Sequence, residues 1–121
     1  MKNYNNWLNA FMESWKNLEG EKTCNLFSSK IEYYENPIDP PCTTLEDIKK
    51  LWKVVPKNQK DIQYTGEILL QNDEQCIYHF KMKRTLVETN RKQNIDGIFE
   101  IKLNNNNLLI YFKQWRYIKE S

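Results

Sequence analysis

The sequence changes its pattern of apolar residues once, near the middle, and this change limits the folds that are open to it. In two segments before Pro56, Tyr4 to Leu18 and Leu45 to Val55, the large apolar residues recur every three or four positions, as they do on a buried helix face. From Asp61 onward apolar and polar residues alternate with a period of two, which is typical of strands. The sequence therefore predicts an α+β fold in which helices come first and a long antiparallel sheet follows.

A long helix is predicted at the start of the chain. Its apolar face runs from Tyr4 to Leu18, and Gly20 is expected to cap its C-terminal end. A short second helical turn is predicted over 23–27. These two elements supply one wide apolar surface that a sheet can cover.

A strand and a third helix follow. The strand is predicted over 30–35 and ends at Asn36-Pro37, and the later Pro40-Pro41 pair excludes regular structure. The helix begins after Thr43 or Thr44, since either residue can cap it with an acid three positions later, and Pro56 ends it.

The second half of the chain predicts an antiparallel meander of four strands joined by hairpin-length loops. The strands are expected over 61–70, 75–87, 95–103 and 108–118. The last loop consists of four asparagines, a residue that tolerates left-handed backbone angles. If all four form the loop, Leu103 faces Leu108 and Phe99 faces Phe112.

Length and charge narrow the function classes. With 121 residues the chain fits one domain, 1–121. The net charge is only +2, and scattered charges disfavour nucleic acid as a partner. We interpret the most basic stretch as the solvated end of a hairpin; it consists of Lys81, Lys83, Arg84, Arg91 and Lys92.

Cofactor and metal sites are not expected. Cys24, Cys42 and Cys76 are widely spaced, form no CxxC pair, and have only His79 as a further soft ligand. The three glycines of the chain form no phosphate-binding loop. Without a signal peptide or an apolar stretch long enough to span a bilayer, the sequence predicts a reduced, cytoplasmic protein that does not insert in membranes.

Three motifs, in this order and spacing, point to a family. They are Tyr33-Tyr34-Glu35-Asn36-Pro37, Asp96-Gly97-Ile98-Phe99 and Phe112-Lys113-Gln114-Trp115. Together with the order of helices and strands, they make the whole chain resemble the SnoaL-like branch of the nuclear transport factor 2-like superfamily, with its cystatin-like α+β fold. The resemblance implies a strongly curved sheet wrapped around the long first helix, forming a cone whose open end is a ligand pocket.

The resemblance also implies that one activity of the superfamily is lost. Its ketosteroid isomerases use a carboxylate in the turn after the first strand, whereas this chain has Asn36 there, and an amide cannot take a proton near neutral pH. The places of the isomerase tyrosine and of its second aspartic acid fall on Phe11 or Met12 and on Phe99. A shift of one residue in this alignment would place Glu35 at the carboxylate position.

An aromatic pocket wall is predicted from these elements, and it suits a flat, mostly apolar ligand. The alternative is that the same rings simply fill the core. The residues predicted for the wall are Phe11, Trp15, Tyr34, Asn36, Trp52, Tyr78, Phe99 and Phe112.

Four residues are candidates for acid–base catalysis: Asp96, His79, Glu35 and Asp39. Each has a plainer interpretation. Asp96 accepts structural hydrogen bonds, strand alternation puts His79 on the outer face, and Glu35 and Asp39 lie in a solvated loop.

The outer face of the predicted sheet mixes aromatic residues with charges, which is typical of a subunit interface and predicts a homodimer. Three functions therefore stay open. We favour the binding of a small apolar or aromatic molecule without turnover. A cofactor-free isomerase, cyclase or dehydratase is the second possibility, and a dimeric protein-interaction module is the third.

Overall fold

A computed structural model describes residues 2–120, which form six strands and three α-helices, as the α+β prediction requires. The elements in chain order are α1 (Tyr4–Lys16), α2 (Gly20–Cys24), β1 (Phe27–Tyr34), β2 (Cys42–Thr44), α3 (Leu45–Val54) with a 3-10 turn (Val55–Lys57), β3 (Gln59–Gln71), β4 (Cys76–Leu86), β5 (Lys92–Leu103) and β6 (Leu109–Glu120). None of the helices described for residues 2–120 combines the length and the apolar composition that a membrane-crossing helix needs.

The first helix ends earlier than its apolar pattern indicates. Leu18 adopts a left-handed backbone with φ of 59°. The N–H of Glu19 donates to the Ser14 carbonyl at 2.8 Å, and that of Leu18 donates to the Trp15 carbonyl at 3.0 Å. This pair of bonds is a Schellman motif, so Leu18 occupies the capping position that was predicted for Gly20.

Gly20 has a different role, because it is the first residue of α2 and lies against α3. A Cβ atom at this position would be 2.2 Å from the Trp52 carbonyl oxygen. The absence of a side chain therefore lets the two helices pack closely. The third helix begins as predicted, since the Thr44 hydroxyl accepts from the Asp47 N–H at 3.1 Å.

The sheet has the strand order β2-β1-β6-β5-β4-β3, which confirms the predicted meander of β3 to β6. The sheet also contains a pairing that was not predicted from the sequence, because β1 runs parallel to its neighbour β6. The two strands start side by side, where the Leu109 N–H donates to the Leu26 carbonyl at 2.9 Å. From this shared start they run in the same direction.

The pairing of β5 with β6 differs from the predicted register by two positions. An irregularity between Lys102 and Leu103 puts Ile101 opposite Phe112 and Phe99 opposite Gln114. A bulge of this kind changes the partners, but a shift of two residues leaves every side chain on the same face. The turn of four asparagines is present, and Asn107 takes a left-handed φ of 60°.

The core lies between α1 and the inner face of the sheet, and aromatic rings fill its centre. Phe11 packs against Phe99 at 5.9 Å and Phe112 at 5.7 Å between ring centroids. Phe99 stacks on Phe80 at 4.5 Å, and both of these side chains are fully buried. The alternative in which the rings fill the cone therefore describes this part of the molecule.

Candidate functional site

The inner face of the sheet changes from apolar to polar along its strands. In β4 the inward positions run from Phe80 through Met82 to Arg84, and in β6 they run from Phe112 through Gln114 to Arg116. Because β1, β4 and β6 run in one direction while β3 and β5 run the opposite way, these polar positions meet at one end of the sheet. We call this end the polar mouth, formed by Glu35, Gln59, Arg84, Gln93, Gln114 and Arg116.

A small cavity of about 80 Å³ lies where the polar mouth meets the aromatic core. It is far below the roughly 300–1,000 Å³ of sites for drug-sized ligands, and it has room for a few waters or one polar group. Its walls combine rings with charged and amide groups: Phe11, Trp15, Tyr33, Glu35, Trp52, Val55, Gln59, Arg84, Phe112, Gln114 and Arg116.

Arg84 is held in place by two glutamines. Its Nε donates to the Gln93 side-chain oxygen at 3.0 Å, and its Nη1 donates to the Gln59 side-chain oxygen at 3.2 Å. Gln59 is itself fixed, since its oxygen also accepts from the Trp15 indole at 3.1 Å and its amide donates to the Val55 carbonyl at 3.2 Å. The guanidinium therefore has a defined orientation.

The charge of Arg84 is not neutralised locally. Burial, together with the nearby positive charge of Arg116, lowers the pKa of Arg84 to about 10, and Glu35 opposes this shift. The group remains positively charged at neutral pH. None of the ion pairs found among residues 2–120 includes any of these three residues.

The opposite wall carries a carboxylate and a phenol. Gln114 donates its side-chain N–H to the Glu35 carbonyl at 3.0 Å and so fixes the backbone beyond β1. Complete burial, and next the adjacent Glu35 carboxylate, raise the pKa of Tyr33 well above its usual value, so its hydroxyl keeps its proton. The buried indole N–H of Trp52 has no acceptor among residues 2–120.

Comparison with known proteins identifies the architecture. No protein-family model and no curated protein matches the sequence. The structure is similar to SalBIII, described as an epoxide hydrolase/cyclase-like enzyme with a role in pyran ring formation in polyether salinomycin, with a TM-score of 0.83 over 96% of this chain and 94% of that one. This chain has the SnoaL-like, nuclear transport factor 2-like cone fold. At 6% sequence identity the likeness shows the fold and not the activity.

Four of the residues predicted for the pocket wall line the cavity of the SnoaL-like cone: Phe11, Trp15, Trp52 and Phe112. Phe99 and Tyr78 do not line it, because they lie deeper in the core and stack on each other at 5.9 Å. The cavity thus does not extend to the two deepest rings that the sequence assigned to its wall.

Tyr34 and Asn36 also lie away from the cavity. Side chains alternate along β1, so Tyr33 points inward, whereas Tyr34 packs at 5.9 Å from Tyr111 away from the core. Asn36 stabilises its own turn, since its side-chain oxygen accepts the N–H groups of Ile38 at 3.0 Å and Asp39 at 2.9 Å.

Of the four catalytic candidates, only Glu35 lines the cavity. Asp39 is exposed and accepts from the Asn36 amide at 2.7 Å. His79 and Asp96 lie on the outer face of the sheet, where the His79 Nε2 is 2.7 Å from an Asp96 oxygen. The cone interior therefore contains one candidate base, contributed by the residue next to Asn36.

The sequence interpretation missed the arginines. Arg84 was placed in a solvated hairpin end, yet it continues the inward series of Tyr78, Phe80 and Met82 at the next alternate position. The same alternation leads from Phe112 to Arg116. The alternation of inward and outward side chains in β4 and β6 therefore indicated both arginine positions. It was not used because a positively charged side chain is usually expected in solvent.

Other surface features are less suited to hold a ligand or a metal ion. A groove of about 750 Å³ between α2 and α3 is wider, but it is an open depression of the surface, bordered by Lys49, Lys53 and Lys57. Among residues 2–120, no group of three or more His, Cys, Asp or Glu side chains is arranged to hold a metal ion.

Proposed function

We propose that this SnoaL-like cone binds a small molecule at its polar mouth. The observation that carries the proposal is the cavity beside Arg84, a partly buried and oriented cation that has no ion pair in the described part of the chain. Burial of an unpaired charge destabilises a fold, and groups of this kind cluster at functional sites. Trp52, another residue of the cavity wall, has a buried indole N–H without an acceptor among residues 2–120.

The ligand differs from the flat apolar molecule that the sequence indicates. A wholly aromatic cavity would accept such a molecule, but the rings of the core are in contact with one another. A ligand at the mouth inserts one polar group into the cavity and leaves its remainder at the rim.

Blocking the cavity tests the proposal. Val55 lines it, whereas the neighbouring Val54 is exposed and does not. We expect native mass spectrometry of protein purified from its own cells to find a bound small molecule in the wild type and in Val54→Phe. Val55→Phe should lose it. A wild type without any bound molecule, and without a thermal shift in a library of small molecules, contradicts the proposal.

Catalysis without a cofactor is a second candidate, favoured by the position of Glu35 beside the Tyr33 hydroxyl in the cavity wall. A carboxylate can move a proton within a bound ligand while the protonated phenol donates a hydrogen bond. In an isomerase, cyclase or dehydratase of this kind, Glu35→Gln retains the ligand and abolishes its conversion. If the wild type leaves its bound molecule unchanged during prolonged incubation, this candidate fails.

We also propose that a second copy of the chain covers the outer face of the sheet. Trp115 and Tyr117 are exposed there, and the oppositely charged Glu100 and Lys113 are direct cross-strand neighbours. A surface that carries both charges beside aromatic rings can be complementary to itself, as a two-fold dimer requires. Sedimentation velocity should show a dimer that Trp115→Glu dissociates. A wild type that sediments as a monomer at high concentration excludes it.

A further inference from the structure

We infer that the ligand of the polar mouth is a small carboxylate whose acid group contacts both Arg84 and Arg116. This inference rests on the proposed binding function and specifies the chemistry of its ligand.

The charges at the cavity do not balance. Two guanidinium groups and one carboxylate, that of Glu35, line it. Burial, and next the positive charge of Arg116, disfavour the charged form of Arg84, and no ion pair among residues 2–120 includes either arginine. One additional negative charge neutralises the site, whereas a cationic ligand would add to the repulsion.

Arg84 retains donors for a ligand. A guanidinium has five N–H groups, and the hydrogen bonds to Gln93 and Gln59 use two of them. Both glutamines present their oxygens to the arginine, so they orient it without neutralising its charge. A planar fork fixed in this way matches the two oxygens of a carboxylate.

The size of the cavity selects a compact group. Since a water molecule occupies about 30 Å³ in the liquid, the cavity of about 80 Å³ accommodates a group of roughly three heavy atoms. A carboxylate has this size and is flat, whereas a phosphate is bulkier and carries more charge. Arg116 is exposed at the rim, where it can contact the same acid group from the solvent side.

Isothermal titration with matched pairs of probes tests the inference. Sodium acetate, propionate and benzoate are each compared with the neutral amide of the same shape, and inorganic phosphate is the competing anion. We expect at least one carboxylate to bind at least tenfold more tightly than its amide and more tightly than phosphate.

Variants locate the site. Arg84→Gln and Arg116→Gln should each weaken carboxylate binding by tenfold or more. Arg91→Gln should leave it unchanged, because Arg91 pairs with Glu120 at 3.4 Å and does not line the cavity. Arg116 is exposed, so its replacement tests the site even if Arg84→Gln impairs folding.

The outcomes separate this inference from the proposed function. Equal binding of acids and amides, tighter binding of phosphate, or equal effects of Arg84→Gln and Arg91→Gln would overturn the carboxylate assignment. A neutral molecule that co-purifies with wild type and is lost in Val55→Phe would also overturn it and leave the proposed function intact. If no probe binds and no molecule co-purifies, both fail.

Discussion

The two ends of the cone are built from the same strands but in opposite ways. At the closed end Cys76, Leu103 and Leu109 are fully buried and apolar. At the polar mouth the same three strands carry Arg84, Gln93 and Gln114, which are tied together or to the backbone by hydrogen bonds. One end is a packed core, and the other is a polar network with a charge in excess.

This difference separates stability from function along a single sheet. Apolar burial stabilises the closed end, and this stabilisation does not depend on the relative orientation of the buried groups. The mouth depends on directional bonds and holds a cation that has no ion pair within residues 2–120, which is a poor arrangement for stability and a suitable one for recognition. Substitutions at the two ends should therefore differ in size and even in sign.

The largest effect is expected at the centre of the packed core. Phe99→Ala removes a fully buried ring that contacts Phe11, Phe80 and Phe112. It should lower the free energy of unfolding by about 3–5 kcal/mol, as measured by urea denaturation. Tyr117→Ala, on the exposed outer face, should change it by less than about 0.5 kcal/mol. Similar values for the two variants would contradict the packing described for the core.

A smaller loss of stability is expected at Gln114, whose side chain supplies one hydrogen bond of the polar mouth. Gln114→Leu keeps the volume of a buried side chain but leaves the Glu35 carbonyl without its donor. The loss of that bond should cost about 1–3 kcal/mol. If the leucine variant is as stable as the wild type in urea, then the mouth tolerates apolar packing and does not differ from the closed end.

An increase in the free energy of unfolding is expected when Arg84 is replaced by an apolar residue. Replacement by Met keeps the apolar stem and removes the unpaired charge, and it should raise the free energy of unfolding by about 1 kcal/mol, a value reduced for solvent screening. The pKa of Arg84 is lowered to about 10 in the folded protein, so between that pH and its unfolded value above about 12 the unfolded chain binds more protons.

The stability of the wild type therefore recovers in this alkaline range. The advantage of Arg84→Met should be constant below about pH 10 and shrink above it, as judged by urea denaturation of both proteins over that range. A variant that is less stable than the wild type at neutral pH would show that the bonds to Gln59 and Gln93 outweigh the cost of the buried charge.

Most of the fold could be predicted because its signals are local. Alternation defined β3 to β6, and the Thr44 cap and Pro56 framed α3. Two features needed information that a local pattern does not contain. The parallel pairing of β1 with β6 joins strands that are far apart in the sequence. The bulge at Lys102 and Leu103 depends on the conformation of the asparagine turn that follows.

The site could be predicted only in part. The sequence placed Phe11, Trp15, Trp52 and Phe112 at the cavity because large rings at regular spacing turn inward. It placed Tyr34 instead of Tyr33 in the wall, an error of one residue that reverses the face of a strand. Arg84 and Arg116 were missed because a charged residue is usually expected at the surface, and only the meeting of several strand ends brings the two arginines to one cavity.

The parallel contact between β1 and β6 has a consequence for biosynthesis. The first strand of the sheet can find this neighbour only after the last strand has been made, because Phe27 lies opposite Leu109. These two residues lie about eighty positions apart in the sequence, so a nascent chain can complete its sheet only after β6 has been synthesised.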